Sequence, residues 1–539
     1  MKKSRIGLSV LALLSASALA LTGCAPAGDS GADTKGDSAA VITTNGTEPQ
    51  NPLIPTNTNE VGGGKIVDHI FAGLVFYDAD GSPVNDVAES IETEDAQNYT
   101  IKIRSGLKFT NDEDVTSESF VDAWNYGALL SNAQLSSYFF ESIEGFSYDE
   151  DSELTGLEVV DETTFTVKLK QPESDFPLRL GYSAFFPLPQ VAFDDIEAFG
   201  EDPIGNGPYM LDGEGAWKHN ENISLVVNPD YDGPREPKNG GLDIRFYAST
   251  DAAYADLQGG NLDVIDEIPE SALESFEDEF ADRAINQPGA ANATITIPER
   301  LAHFSGEEGK LRRAALSMAI NREEVTEVIF AGTRTPATDF TSPVVDGYSD
   351  EVPGSEVLEF NAEEAKKLWA EADAISPWEG QFGLAYNADA PNQGWVDAVT
   401  NQIKNTLEID AVGVAYPTFK EFRTLITEGT IPTAFRTGWQ ADYPALFNFL
   451  GPIFGTDAGS NDGDYSNPEF DALLKEGLGE SDLETANATF LKAEEILFTD
   501  LPAIPLWYTN GTGAYGENVE NVEIDWHTVP IYYQITKTE

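Results

Sequence analysis

Apolar and polar residues alternate in several short segments of the chain. In the first of these, Tyr99, Ile101 and Ile103 are separated by Thr100 and Lys102. A period of two places every second side chain on the same face of an extended backbone, which is typical of a half-buried β-strand. The same alternation predicts strands in three further segments, 165–170, 223–227 and 242–246.

Other segments have the period of an amphipathic helix. The clearest apolar face at this spacing is formed by Leu311, Ala314, Ala315, Met318 and Ala319. Helix and strand patterns both occur along the whole chain, and we therefore expect a mixed α/β protein.

Two asparagines mark the starts of predicted helices. Asn321 is followed three residues later by Glu324, which is the spacing of a helix N-cap. We expect this helix to bury a stripe made of Val325, Val328 and Ile329. Asn467 before Pro468 predicts a second start, because proline suits the first helical position. The residues expected to face inward there are Phe470, Leu473 and Leu474.

The first 23 residues have the features of a bacterial signal peptide. A basic start is followed by an apolar run, 6–20, which is short for a membrane span. Residues 21–24 (LTGC) resemble a lipobox, and Cys24 is the only cysteine in the chain. We therefore predict lipidation at Cys24, with a plain signal peptide and a chance cysteine as the alternative. Residues 24–40 are small and polar, and they predict a flexible tether.

The chain length and the net charge indicate the number of lobes and exclude one class of partner. The chain has 539 residues, and single cores stop growing at roughly 250–300 residues, so we expect two or three lobes. Its 93 acidic and 31 basic residues give a formal net charge of −62. Nucleic-acid binding requires a basic surface, and we expect no nucleic-acid partner.

The sequence contains no recognisable catalytic or metal-binding motif. The four histidines are widely spaced, and no G-x-S-x-G motif occurs. Gly62, Gly63 and Gly64 precede Lys65, but the other P-loop positions are missing, and we predict a tight turn there. Residues 461–464 (NDGD) resemble part of a calcium loop, which we interpret as chance. We expect no metal, no cofactor and no enzymatic activity.

Several separated stretches, in order along the chain, resemble motifs of one family. They are 45–50 (NGTEPQ), 71–74 (FAGL), 99–104 (YTIKIR), 107–124, 205–209 (GNGPY), 228–231 (NPDY), 310–322 (KLRRAALSMAINR) and 362–372. The chain is thereby similar to the family 5 substrate-binding proteins of ATP-binding-cassette (ABC) importers, and within them to the oligopeptide-binding group.

The resemblance implies a two-lobed fold of the periplasmic-binding-protein type (type II, large cluster) with a hinged cleft and an extra small α/β domain. The first lobe would combine residues 41–72, 206–292 and 510–539. The small domain would comprise residues 73–205, and the second lobe residues 293–509.

The same resemblance implies a ligand site around 435–444 (FRTGWQADYP). Asp442 stands where the family receives the ligand's α-ammonium group, Arg436 where an arginine approaches the carboxylate of short peptides, and Trp439 where a pocket wall is expected. Asp442 could instead start a turn, Arg436 could pair with a structural carboxylate, and Trp439 could be core.

Two other segments complete the expected site. Asn59, Glu60 and Val61 align with a loop whose backbone pairs with an extended peptide. Tyr138 is expected to approach the ligand from the small domain, with a structural role as the stronger alternative.

We therefore expect a monomeric, lipid-anchored receptor on the extracytoplasmic face of the membrane. It would capture oligopeptides in the cleft and deliver them to an ABC permease. One alternative keeps the fold but binds a non-peptide solute, such as an oligosaccharide, a metal chelate or haem. A cell-surface hydrolase is the less favoured alternative.

Overall fold

A computed structural model describes residues 39–538. The expected signal peptide, Cys24 and most of the expected tether lie outside the described residues. Within residues 39–538, no helix is both long and apolar enough to span a membrane.

The strands are numbered here in chain order. They are β1 (Val41–Gly46), β2 (Val75–Tyr77), β3 (Pro83–Asn85), β4 (Ala88–Thr93), β5 (Asn98–Ile103), β6 (Leu157–Asp161), β7 (Thr164–Lys168), β8 (Tyr209–Leu211), β9 (Trp217–Lys218), β10 (Asn222–Val227), β11 (Gly241–Phe246), β12 (Val264–Ile265), β13 (Ala284–Thr296), β14 (Arg334–Pro336), β15 (Phe382–Asn387), β16 (Ala411–Tyr416), β17 (Ala434–Gln440), β18 (Ala503–Tyr515), β19 (Val519–Glu520) and β20 (Thr536–Lys537).

The α-helices are numbered in the same way. They are α1 (Val61–Ile70), α2 (Ser117–Ala128), α3 (Phe176–Arg179), α4 (Ile196–Glu201), α5 (Thr250–Gln258), α6 (Phe276–Phe280), α7 (Gly306–Met318), α8 (Arg322–Val328), α9 (Ala362–Ile375), α10 (Gln393–Leu407), α11 (Phe419–Thr427), α12 (Leu446–Phe454), α13 (Pro468–Leu478) and α14 (Leu483–Asp500). Short 3-10 helices lie between several of them.

One sheet of 12 strands runs through both lobes. Its main order is β16-β15-β17-β13-β18-β12-β1-β11-β10-β8, with β14 beside β18 and β9 beside β10. The antiparallel pair β13 and β18, 13 residues each, joins the two halves of the sheet. The register of this pair shifts between Pro288 and Asn292. The polypeptide therefore passes between the predicted lobes along paired strands.

The small domain has its own antiparallel sheets, β2-β3 and β4-β5-β7-β6. In β5, Tyr99, Ile101 and Ile103 are buried while the intervening residues are exposed, as the alternation predicts. The predicted strands at 165–170, 223–227 and 242–246 are confirmed as β7, β10 and β11.

The hydrophobic clusters coincide only partly with the predicted lobes. One cluster lies entirely within the second lobe, between Ile295 and Trp507. Another is shared by the first lobe and the small domain, but it also contains Tyr443 and Ala445 of the second lobe. The boundaries of the lobes stay a prediction, and Tyr443 shows that the small domain and the second lobe are in contact.

Both predicted helix caps are confirmed. Asn321 accepts a hydrogen bond from the Glu324 amide at 3.1 Å, and Asn467 caps α13 before Pro468. Phe470 and Leu474 are buried as expected, and Leu473 is half-buried.

Two local predictions are wrong. In α8 only Val325 of the expected stripe is buried, whereas Val328 is 70% exposed and Ile329 is 40% exposed, because the helix ends at Val328 and its last turn faces solvent. Residues 62–64 form the first turn of α1 and not a tight turn, because the Glu60 side chain caps that helix.

The inner face of α7 carries two fully buried arginines, which the apolar pattern does not predict. Arg312 and Arg313 are 0% exposed. The Arg312 guanidinium lies over the rings of Trp369 and Trp378, at 4.5 and 5.1 Å from their centroids. It also donates to Glu308 at 2.9 Å. Cation–π contact and hydrogen bonding offset the cost of burying the charge.

A pair of acidic side chains is buried between α14 and the loop after β14. Glu494 and Asp339 are both 0% exposed. Burial and the neighbouring Asp339 raise the pKa of Glu494 well above its ordinary value, and burial also raises the pKa of Asp339. The fold therefore favours the protonated form of Glu494.

This pair predicts a specific pH dependence of stability. Above the ordinary pKa of 4.5, the folded state retains a proton that the unfolded state releases, so the free energy of unfolding falls as pH rises toward the raised pKa. Glu494→Gln should flatten this fall, measured by chemical unfolding from pH 5 to 9. Glu495→Gln, at the exposed neighbouring position, should follow the wild-type profile. Parallel profiles for wild type and Glu494→Gln would contradict the prediction.

Candidate functional site

Strand β17, which carries Arg436 and Trp439, has one unpaired edge. On one side it pairs with β13 from Phe435 to Gln440. On the other side β15 pairs only with Ala434 and Phe435. Within residues 39–538, no strand pairs with that edge of β17 from Arg436 to Gln440.

The backbone groups at this edge point away from β13. The Ala441 amide donates to the Ala290 carbonyl oxygen at 2.9 Å, and the Trp439 amide donates to Asn292 Oδ1 at 3.1 Å. Backbone direction alternates along a strand, so the N–H and C=O groups of Gly438 and Gln440 face the opposite, open side. The open edge can therefore accept another extended chain.

Asp442 lies just beyond the end of β17 and is half-buried. Its amide donates to Asn448 Oδ1 at 3.1 Å, and the same oxygen accepts from Trp439 Nε1 at 2.9 Å. Burial raises the pKa of the Asp442 carboxyl, and the Asn448 side chain opposes this shift. Among the described residues, no cation lies within ion-pair distance of this carboxylate.

Two tyrosines of the small domain lie within electrostatic range of Asp442. Burial raises the pKa of the Tyr138 and Tyr182 hydroxyls, and the Asp442 carboxylate raises both further, that of Tyr182 to about 12. Phe139 stacks between them, with ring centroids 4.6 Å from Tyr138 and 4.0 Å from Tyr182. Both hydroxyls are therefore protonated at neutral pH and lie within electrostatic range of the Asp442 carboxylate.

A cavity of about 450 Å³ adjoins β17 within the second lobe. Its volume is in the range of small-molecule sites. Apolar side chains and three threonine hydroxyls dominate its lining: Phe419, Phe422, Ile426, Ile453, Phe454, Thr294, Thr296 and Thr437. Trp439 and Arg436 also line it. The cavity can therefore hold an apolar group with some polar contacts.

Arg436 does not interact with Asp442. Its Nε donates to Asn387 Oδ1 at 2.8 Å, and its guanidinium lies 5.8 and 5.6 Å from the ring centroids of Phe419 and Phe422. Burial lowers the pKa of Arg436, with Asp389 acting in the opposite direction. No carboxylate of the described chain forms an ion pair with it, so this cation can meet an anionic ligand group.

The loop that resembles a calcium site has its carboxylates engaged by arginines. Asp462 accepts from Arg423 of α11 at 2.6 Å, and Asp464 accepts from Arg300 at 2.5 Å. The first of these pairs lies at the edge of the cavity and joins α11 to the loop before α13.

The first-lobe segment of the expected site leads into a helix. Glu60 accepts from the Gly63 amide at 2.8 Å and caps α1, and Asn59 and Val61 are exposed. The preceding residues contact the segment that carries Tyr138, because the Ser136 amide donates to the Thr56 carbonyl at 3.0 Å. Pairing of Asn59–Val61 with a ligand stays a prediction.

The structure thus places Tyr138 within electrostatic range of Asp442 and places Arg436 and Trp439 on the cavity wall. The sequence motifs did not indicate Tyr182 or Asn448. Tyr182 approaches Asp442 through tertiary packing, whereas Asn448 is only six residues away in the chain and contacts it locally. No pattern in the sequence marks either of them.

The chain is similar to known proteins over most of its length. Residues 82–461 match the model of the bacterial extracellular solute-binding proteins, family 5 Middle. The oligopeptide-binding protein OppA of Bacillus subtilis is 24% identical over 552 residues, covering 97% of each chain. The periplasmic oligopeptide-binding protein OppA of Escherichia coli is 27% identical over 526 residues, covering 94% of this chain and 93% of that protein.

A solved structure has the same fold. The unliganded open form of MppA, a periplasmic murein tripeptide binding protein, superposes with a TM-score of 0.84 at 21% identity. The match covers 94% of this chain and 98% of that chain. The two-lobed binding-protein fold expected from the sequence is confirmed.

The burial of the Asp442 carboxyl predicts that its ionised form lowers the stability of the ligand-free protein. Because its pKa is raised, ionised Asp442 destabilises the ligand-free fold as pH rises above its ordinary value of 3.8. Asp442→Asn should therefore increase the free energy of unfolding of the ligand-free protein at pH 7, and the increase should vanish near pH 4. Chemical unfolding at both pH values measures this. A lower stability of the variant at pH 7 would contradict the prediction.

Proposed function

We propose that this chain, which belongs to family 5 of the bacterial extracellular solute-binding proteins, captures oligopeptides and delivers them to an ABC importer. The observation that carries the proposal is the half-buried Asp442 carboxylate, which follows the open edge of β17 and has no cationic partner among residues 39–538. The names of the curated relatives, which are oligopeptide-binding proteins, support the same ligand class.

The α-ammonium group of a peptide matches the chemistry of Asp442. A carboxylate both neutralises an ammonium group and accepts its hydrogen bonds. The ligand would then offset the desolvation that raises the pKa of this carboxyl. A free amine is thus the expected requirement at this end of the ligand.

The peptide backbone and side chains would use the neighbouring features. Backbone groups of Gly438 and Gln440 would pair with an extended peptide, which gives affinity that does not depend on sequence. The first-lobe residues Asn59, Glu60 and Val61 would face the peptide from the other side. The cavity beside Trp439 would receive a side chain, and Arg436 would meet the carboxylate of a short peptide.

Ligand capture would involve closure of the two lobes. A ligand shifts an open–closed equilibrium only by its difference in affinity for the two states. Asp442 and Tyr138 would hold one side of the ligand, and contacts of Asn59–Val61 in the first lobe with its other side, made only on closure, would provide that difference. The hinge would lie in the paired strands β13 and β18, where the register shifts.

We also propose a lipid anchor at Cys24, preceded by a cleaved signal peptide. Two acyl chains give stable attachment where one is marginal. The tether up to residue 40 would hold a monomeric receptor at the extracytoplasmic face of the membrane, within reach of the permease.

Calorimetric titration of the purified protein with tri- to pentapeptides tests the ammonium site. Asp442→Ala should weaken binding by ~2–5 kcal/mol, because a buried charge pair loses one partner. Asp464→Ala, which removes a carboxylate paired with Arg300, serves as the control and should bind normally. Equal binding by Asp442→Ala and wild type would refute the site. Equally tight binding of N-acetylated and free peptides would show that the free amine is not recognised, and the absence of binding to either would favour a non-peptide cargo.

Cell fractionation tests the anchor. Wild-type protein should be found with the membranes, and Cys24→Ser should move into the soluble fraction because no thiol remains to be acylated. Peptide affinity should be the same for both. Retention of Cys24→Ser on the membrane would contradict the proposed modification.

A further inference from the structure

A buried hydrogen-bond network joins the small domain to the second lobe at the residue that follows Asp442. The Tyr443 hydroxyl donates to Asp175 Oδ2 at 2.7 Å. Arg179 donates to both oxygens of Asp175, at 3.0 and 3.1 Å, and its guanidinium lies 5.3 Å from the centroid of the Tyr443 ring. Glu173 completes the network with a 2.8 Å ion pair to Arg179.

The network is buried and reinforced. Asp175 is 1% exposed and Tyr443 is 6% exposed. Beside it, Ser174 donates its amide to the Leu478 carbonyl at 2.9 Å and its hydroxyl to the Gly477 carbonyl at 2.8 Å. Hydrogen bonds to charged groups in such surroundings are among the stronger ones. The start of α3 is therefore fixed to two separate parts of the second lobe.

This attachment is adjacent in the chain to both components of the candidate ammonium site. Asp442 is adjacent to Tyr443, and Tyr182 is three residues after Arg179. The tyrosine side of the site belongs to the small domain, and the carboxylate side belongs to the second lobe. A shift between the two would change the distance from Asp442 to Tyr138 and Tyr182.

We propose that Asp175 and Arg179, acting through Tyr443, are positioning residues that hold the Asp442 carboxylate beside Tyr138 and Tyr182. The amine end of the ligand is then recognised by the small domain and the second lobe together. This inference rests on the proposed function of Asp442. It also assigns the space around the ligand's first residue to the aromatic group Tyr138, Phe139 and Tyr182.

The test uses Tyr443→Phe, which removes the hydroxyl and retains the ring. A second network with the same chemistry provides a matched control: Tyr231 donates to Asp86 at 2.9 Å, and Arg235 pairs with Asp86 at 2.9 Å. Tyr231→Phe removes the equivalent hydroxyl away from Asp442. Each variant is titrated with a free tripeptide and with its N-acetylated form, and thermal unfolding confirms that it is folded.

We expect Tyr443→Phe to lose about tenfold in affinity for the free tripeptide, the scale of one hydrogen bond to a charged group. Its affinity for the N-acetylated form should not change, and Tyr231→Phe should bind both peptides as wild type does. Asp175→Asn is the second variant, because it keeps the volume and an acceptor oxygen, and it should lose affinity for the free tripeptide in the same way.

Two results would overturn the inference. One is unchanged affinity of Tyr443→Phe and Asp175→Asn for the free tripeptide. The other is an equal loss for both forms of the peptide, which would indicate a structural role only. Asp442→Asn, measured in parallel, distinguishes failure of the positioning role from failure of the proposed ammonium site. If it does not reduce the preference for the free amine, the proposed ammonium site itself is wrong and the inference falls with it.

Discussion

The antiparallel pairing of β13 with β18 is the constraint on which the rest of the structure depends. These two strands join the two halves of the 12-stranded sheet. The two lobes are therefore connected either through this strand pair or through contacts across the cleft. Paired strands resist stretching, but a register shift such as that between Pro288 and Asn292 lets them bend and twist. The lobes can therefore rotate relative to each other without losing the hydrogen bonds that connect them.

The candidate ligand site lies beside a strand edge that has no partner strand within residues 39–538. β13 has β18 on one side and β17 on the other, and β15 pairs only with Ala434 and Phe435 of β17. An unpaired strand edge is ordinarily a liability for aggregation. Here α11 and the loop that ends at Tyr465 line the cavity that adjoins this strand.

The sequence predicted the elements whose signals are local. The alternation around Ile101 and the caps Asn321 and Asn467 need only their neighbours in the chain, and the structure confirms them. The burial of Arg312 against two tryptophans and the exposure of Val328 depend on distant residues, and the apolar pattern alone was wrong there. The same difference between local signals and contacts with distant residues applies to the candidate site. The motif located Asp442 beside β17, whereas Tyr182 and Asp175 come from a segment more than 250 residues away in the chain.

Three carboxylates of this protein differ in the interaction that compensates their burial. Asp175 is buried with Arg179, whose Nη2 donates to both carboxylate oxygens, and with the Tyr443 hydroxyl, so its charge is satisfied within the fold. Glu494 is fully buried beside Asp339 and can be satisfied only by a proton. Asp442 is also desolvated, but it is only half-buried, and no cation among the described residues pairs with it. The three carboxylates therefore differ in what compensates burial: an internal cation for Asp175, a proton for Glu494 and, for Asp442, the ammonium group of the proposed ligand.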